Sequence, residues 1–147
     1  MDRRPLLVLV GILTGCGSAM APTYPAGMPS SMKKETPEYA RTRNRGIETL
    51  KHSLKDPYSA VVTTDTVDPD TNVVCGTVNA KNGFGGYTGE TAFVVNDSQV
   101  ILLSTDASAF GKEFNATCKK TLDKEIAWNL AEAKRLNAQS AALGNSN

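Results

Sequence analysis

The sequence predicts a two-layer α+β domain, an antiparallel four-stranded meander flanked by an N-terminal and a C-terminal helix. Three observations carry this. Apolar residues recur at helical spacing before residue 56 and again after residue 113, while the stretch between holds four short Val- and Thr-rich runs divided by turn signals. The length of 147 residues suits one domain. The composition, 40% hydrophobic and 21% charged, is that of a globular chain lean in aromatics, not of a disordered one.

The first helix opens at Thr36-Pro37-Glu38: Thr caps, Pro fits the first helical position, and Glu favours the positive end of the helix dipole. Tyr39, Ile47, Leu50 and Leu54 then form one apolar stripe, and Asp56-Pro57 ends it. Gly46 weakens its middle by about 1 kcal/mol relative to Ala. Residues 59–67 and 72–81 are the first two strands, joined across the turn signal Asp68-Pro69-Asp70-Thr71. A Gly-rich loop over 82–89 reverses the chain into strands at 91–95 and 99–105, joined by the tight Asn96-Asp97-Ser98 connection. Phe114, Cys118, Leu122, Ile126, Leu130 and Ala133 mark one face of a long final helix, or of a loop that becomes a helix near Thr117. The economical packing lays both helices on one sheet face. The single domain is expected to span 37–140, with a flexible tail over 141–147.

The charge balance excludes some functions. Sixteen Lys and Arg face fifteen Asp and Glu, so there is no global field to bind nucleic acid. Three cysteines and one histidine leave no Cys/His zinc site, and no cofactor is implied. Charge is uneven locally, however: residues 33–55 hold seven Lys and Arg against three acids, including Arg41, Arg43 and Arg45. This is either a solvated helix surface or a contact for anionic lipid headgroups or lipopolysaccharide phosphates.

At the N-terminus, Arg3 and Arg4 precede an apolar run over 6–13, far shorter than the ~20 residues of a membrane span. A short basic segment and a short apolar one mark a secretory signal. The run ends in Leu13-Thr14-Gly15-Cys16, which resembles a bacterial lipobox. The resemblance implies cleavage after Gly15 (a signal peptide over 1–15) and lipidation of Cys16. Two or three acyl chains anchor a protein stably without a spanning helix. Residue 17 is Gly rather than Asp, which by the same resemblance favours the outer membrane, facing the periplasm or the surface. Residues 16–36, with their prolines and Ser/Thr, are expected to be a disordered tether.

With Cys16 lipidated, Cys75 and Cys118 remain, an even number in an oxidising compartment. A structural disulfide between them would close a loop of about 42 residues and contribute roughly 4 kcal/mol. Two buried thiols or a redox pair are the alternatives, and the spacing lacks a Cys-x-x-Cys motif.

The most distinctive segment is Val74-Cys75-Gly76-Thr77-Val78-Asn79-Ala80-Lys81-Asn82-Gly83-Phe84-Gly85-Gly86-Tyr87-Thr88-Gly89, with Leu54-Lys55-Asp56-Pro57-Tyr58-Ser59-Ala60 upstream. Together they resemble an uncharacterised family of small exported proteins of bacteria and phages that shares LKDPxSA and VCGxVNAKNxxGGYxG segments. The resemblance implies no activity and no catalytic residue. Physically, the glycines permit positive φ and close backbone approach. Asn79, Lys81 and Asn82 supply polar groups, Phe84 and Tyr87 apolar anchors, and Gly85 and Gly86 backbone amides able to form an anion nest. The segment is either a recognition loop or a wide hairpin whose aromatics plug the sheet face.

Candidates for catalysis are sparse. His52 is the sole histidine, Glu90 and Asp97 are possible paired carboxylates, and Asp65, Asp68 and Asp70 surround a turn without the glycine and terminal glutamate of an EF-hand loop. The expected function is therefore not enzymatic. It is that of a lipid-anchored envelope protein with a small binding domain whose partner is an envelope protein or a glycan. Two alternatives are a prophage superinfection-exclusion lipoprotein that occludes a surface receptor, and a periplasmic enzyme.

Overall fold

A computed structural model describes residues 22–97 and 99–144. The elements run α1 (Pro37–Ser53), β1 (Val61–Asp68), β2 (Val73–Asn79), β3 (Thr91–Asn96), β4 (Gln99–Leu102), α2 (Ala107–Ala116) and α3 (Cys118–Gly144). The four strands form one antiparallel sheet in the order β1-β2-β3-β4, and Cys75 is disulfide-bonded to Cys118. The α+β class, the meander, the flanking helices and the staple are as expected.

The layering differs. Side chains alternate across a strand, and here both sets are buried. Val74, Val78, Phe93 and Val95 pack with Tyr39 and Leu50 of α1 on one face. Val73, Cys75 and Val94 pack with Cys118, Phe110 and Phe114 of α2 and α3 on the other. The helices therefore cover opposite faces, making three layers rather than two. The uninterrupted apolar runs Val73-Val74-Cys75 and Phe93-Val94-Val95 are what a strand buried on both faces requires.

The local reasons are specific. Thr36 Oγ1 accepts from the Tyr39 N–H at 3.3 Å, with Pro37 opening α1. Gly46 lets α1 approach the sheet, since a Cβ there would lie 2.4 Å from Val74 Cγ2. A bulge between Thr64 and Thr66 reverses the facing of β1, so Val62 faces α1 while Thr66, paired with Cys75, lies on the opposite face. Across the bulge Gly76 is required, because a Cβ would fall 1.9 Å from the Thr63 carbonyl oxygen. Positive φ at Asn72 and Asp97 closes the two short turns.

The final helix is two. Asp106 caps α2 by accepting from the Ala109 N–H at 2.8 Å, and Thr117 leaves helical geometry before α3 begins at the buried Cys118. Polar bonds then pin both helices: Asn96 Nδ2 donates to Glu113 Oε1 at 2.8 Å, and Thr121 Oγ1 donates to the buried Asp68 carboxylate at 2.7 Å. The expected apolar stripe of the last helix is only partly core. Phe114 and Cys118 pack, but Ile126 and Leu130 are 56% and 60% exposed. A helix of 27 residues spans ~40 Å while a seven-residue strand spans ~23 Å, so the helix outruns the sheet. It continues to Gly144, past the expected domain end at residue 140.

The tether boundary is also corrected. Ser30–Met32 form a 3-10 turn with Ser31 buried, and Ser30 Oγ donates to the Asp70 carboxylate at 2.9 Å. Tyr24 Oη accepts from the Glu35 N–H at 3.3 Å. Residues 24–36 thus close onto the domain as a clasp at the β1–β2 turn. Cys16 lies outside the described residues.

Candidate functional site

The loop between β2 and β3 begins where β2 ends, at Asn79, whose Oδ1 is buried without a hydrogen-bond partner among the described residues. Lys81 and Tyr87 pair as an isolated antiparallel bridge, with the Lys81 ammonium 5.5 Å from the Tyr87 ring centroid, within cation–π range. The Thr88 N–H donates to the Ala80 carbonyl at 3.2 Å.

Asn82 organises the tip. Its N–H donates to the Gly86 carbonyl at 2.8 Å and its carbonyl accepts from the Gly85 N–H at 3.0 Å. Its side-chain Oδ1 accepts from the N–H groups of Phe84 at 2.9 Å and Gly86 at 3.2 Å. Gly85 turns the chain at φ +83°. The amides expected to form an anion nest are therefore spent on Asn82. These bonds close the tip without a ligand.

Its aromatics do not plug the sheet. Phe84 is 100% exposed and Tyr87 54% exposed. The sequence reading missed their neighbour Tyr58, also 100% exposed, in the 3-10 turn Pro57–Ser59. Two bonds dock that turn on the loop: the Lys81 N–H donates to Ser59 Oγ at 2.9 Å, and Tyr87 Oη donates to the Ser59 carbonyl at 3.4 Å. Lys55-Asp56-Pro57-Tyr58-Ser59 and Lys81–Tyr87, far apart in sequence, thus make one surface. The signal was the Asp56-Pro57 pair: Asp56 caps the turn by accepting from the Ser59 N–H at 3.2 Å.

The other candidates disperse. His52 is exposed and its imidazole makes no hydrogen bond among the described residues. Glu90 and Asp97 flank opposite ends of β3, roughly 20 Å apart by strand rise, so they cannot work as a carboxylate pair. Asp68 is committed to Thr121 and the Asp70 N–H, Asp70 to Ser30, and Asp65 is exposed. Among the described residues no group of three His, Cys, Asp or Glu side chains converges to hold a metal, and no helix is long and apolar enough to cross a membrane.

Comparison of the chain with protein-family models, curated proteins and solved structures finds no match. The geometry itself is that of a polar-bonded loop carrying exposed aromatic side chains.

Proposed function

We propose that this protein is a lipid-anchored component of the bacterial cell envelope whose domain works by binding, with the loop Asn79–Tyr87 and Tyr58 as its recognition surface. The observation that carries the binding reading is Phe84, wholly exposed on a loop whose backbone is held by Asn82. A large apolar side chain kept in water on a preorganised loop is the arrangement of an interface anchor, because little ordering entropy is lost on binding.

The anchor rests on the sequence Leu13-Thr14-Gly15-Cys16. The Cys75–Cys118 bond supports it in two ways: it suits an oxidising compartment, and it leaves Cys16 as the one cysteine without a partner in the chain.

The recognition surface is tested by placing a photo-crosslinking residue at position 84, and at Asp97 as a control, in cells of a bacterial host. A discrete envelope adduct at 84 that disappears in Asn82→Ala, with none at 97, is the expected result. Equal labelling at both positions, or none at 84, overturns the assignment.

A further inference from the structure

The clasp bonds Ser30 to Asp70 in the β1–β2 turn, at the opposite end of β2 from the aromatic loop. There the clasp, the first turns of α1 and the β1–β2 turn enclose an open cleft of about 840 Å³. Lys33 of the clasp lines it, together with Arg41 and Arg45, one helical turn apart on α1.

Two acids, Glu38 and Asp70, line it as well, so the three cations exceed the acids by one. Glu38 accepts from Arg41 Nη2 at 3.0 Å, an exposed pair that salt screens and a stronger anion displaces. Asp70 accepts the Ser30 hydroxyl. Arg45 donates to the neutral Asn72 side chain, and Lys33 has no ion-pair partner among the described residues. The whole chain is polarised in the same sense: residues 33–55 carry seven cations against three acids, and residues 56–147 carry seven against eleven.

We propose that this cleft docks the domain on the membrane by seating the phosphate of an anionic lipid headgroup against Lys33, Arg41 and Arg45. The guanidinium groups supply paired N–H donors to phosphate oxygens and Lys33 a point charge. The choice of a lipid rather than a free phosphate rests on the anchored reading, since Ser30, only fourteen residues after Cys16 in the sequence, is bonded to Asp70 at the cleft. Docked this way, the acidic remainder of the domain is repelled from the surface and the Phe84 loop faces away from it.

The test uses the full chain carrying Cys16→Ser, so that it does not depend on lipidation, with phosphatidylcholine vesicles and vesicles containing 30% phosphatidylglycerol on the order of physiological ionic strength. Each basic residue near an anionic surface contributes about fivefold in affinity. Arg41→Gln/Arg45→Gln is therefore expected to weaken binding to the anionic vesicles about 25-fold and to leave phosphatidylcholine binding unchanged. Lys112→Gln/Lys134→Gln, which removes equal charge on α2 and α3 outside the cleft, is expected to change it less than threefold, roughly.

Equal losses in both variants, or binding indifferent to phosphatidylglycerol, overturn the proposal. So does protection by inorganic phosphate beyond that of chloride at matched ionic strength without vesicle binding, which would make the cleft a site for a free anion. Because the chain is unlipidated, vesicle binding lost only in the cleft variant stands even if Cys16 proves unmodified in cells. A lipidated Cys16 does not rescue the cleft if that variant binds normally.

Discussion

Reduction of the Cys75–Cys118 bond is the perturbation whose size follows most directly from the fold. The bond joins residues 43 apart, tying β2 to the first residue of α3. In the chain-entropy account, releasing a loop of that length stabilises the unfolded chain by about 4 kcal/mol. Reduction adds only two hydrogens to side chains already buried among Val73, Val94, Phe110 and Phe114, so no cavity opens on that face. A loss of that size is a large share of the ~5–15 kcal/mol that holds a domain together. The assay is urea unfolding of the purified chain with and without a phosphine reductant, followed by far-UV circular dichroism. With a slope of about 2 kcal/mol per molar, the midpoint falls by about 2 M. Hydrogen exchange under the same conditions rises first in α2 and α3, whose remaining ties to the sheet are the Phe110–Phe114 packing and the Asn96–Glu113 and Thr121–Asp68 bonds. A midpoint shift below about 0.5 M, converted by the same slope, refutes the view that the staple is a principal source of stability.

Other outcomes follow from single contacts. Gly46→Ala gains about 1 kcal/mol of helix propensity but drives a Cβ into the fully buried Val74; overpacking costs ~1–3 kcal/mol, so the melting temperature falls. A rise would contradict the close approach of α1 to the sheet. Asn82→Ala removes the acceptor of two loop amides on an exposed tip; global stability shifts by less than about 1 kcal/mol, while exchange at the Phe84 and Gly86 amides accelerates. Unchanged protection there would show that the side chain does not hold the loop. Burial raises the Tyr39 hydroxyl above its ordinary 10.0, with Arg43 opposing and Glu125 adding to the rise. The unfolded chain then releases this proton first, so the contribution is intact below pH 10 and is lost as pH climbs through the raised folded value. Tyr39→Phe is expected to flatten that alkaline limb of a stability-versus-pH curve.

The parts of the fold legible in the sequence are those set by neighbours along the chain. Thr36-Pro37 announces α1, and Asp68-Pro69-Asp70-Thr71 announces the first hairpin, because capping and turn chemistry are local. Layering was also written there, in the unbroken apolar runs of β2 and β3, but a reading that counts elements and seeks the simplest packing passes over it. Helix α2 is hidden in the sequence because the periodic apolar signal begins only at Phe114, whereas its cap is Asp106. The loop was legible as a distinctive segment. Its exposure was not, since the same glycines and aromatics serve a plug or a projecting tip, and the bonds of Asn82 decide between them. The basic cleft draws on positions 33, 41, 45, 70 and 72, which the Ser30–Asp70 and Arg45–Asn72 bonds bring together.

The measurement that bears most directly on an anchored, stapled binding domain is the intact mass of the protein extracted from bacterial membranes, non-reduced and unalkylated, beside a Cys16→Ser variant. The expected species begins at Cys16, carries two or three acyl chains, and is two hydrogens lighter than the dithiol, whereas the variant carries no lipid. A species from wild-type cells that lacks acyl chains, or one that retains residues 1–15, would contradict the anchor on which the envelope assignment stands.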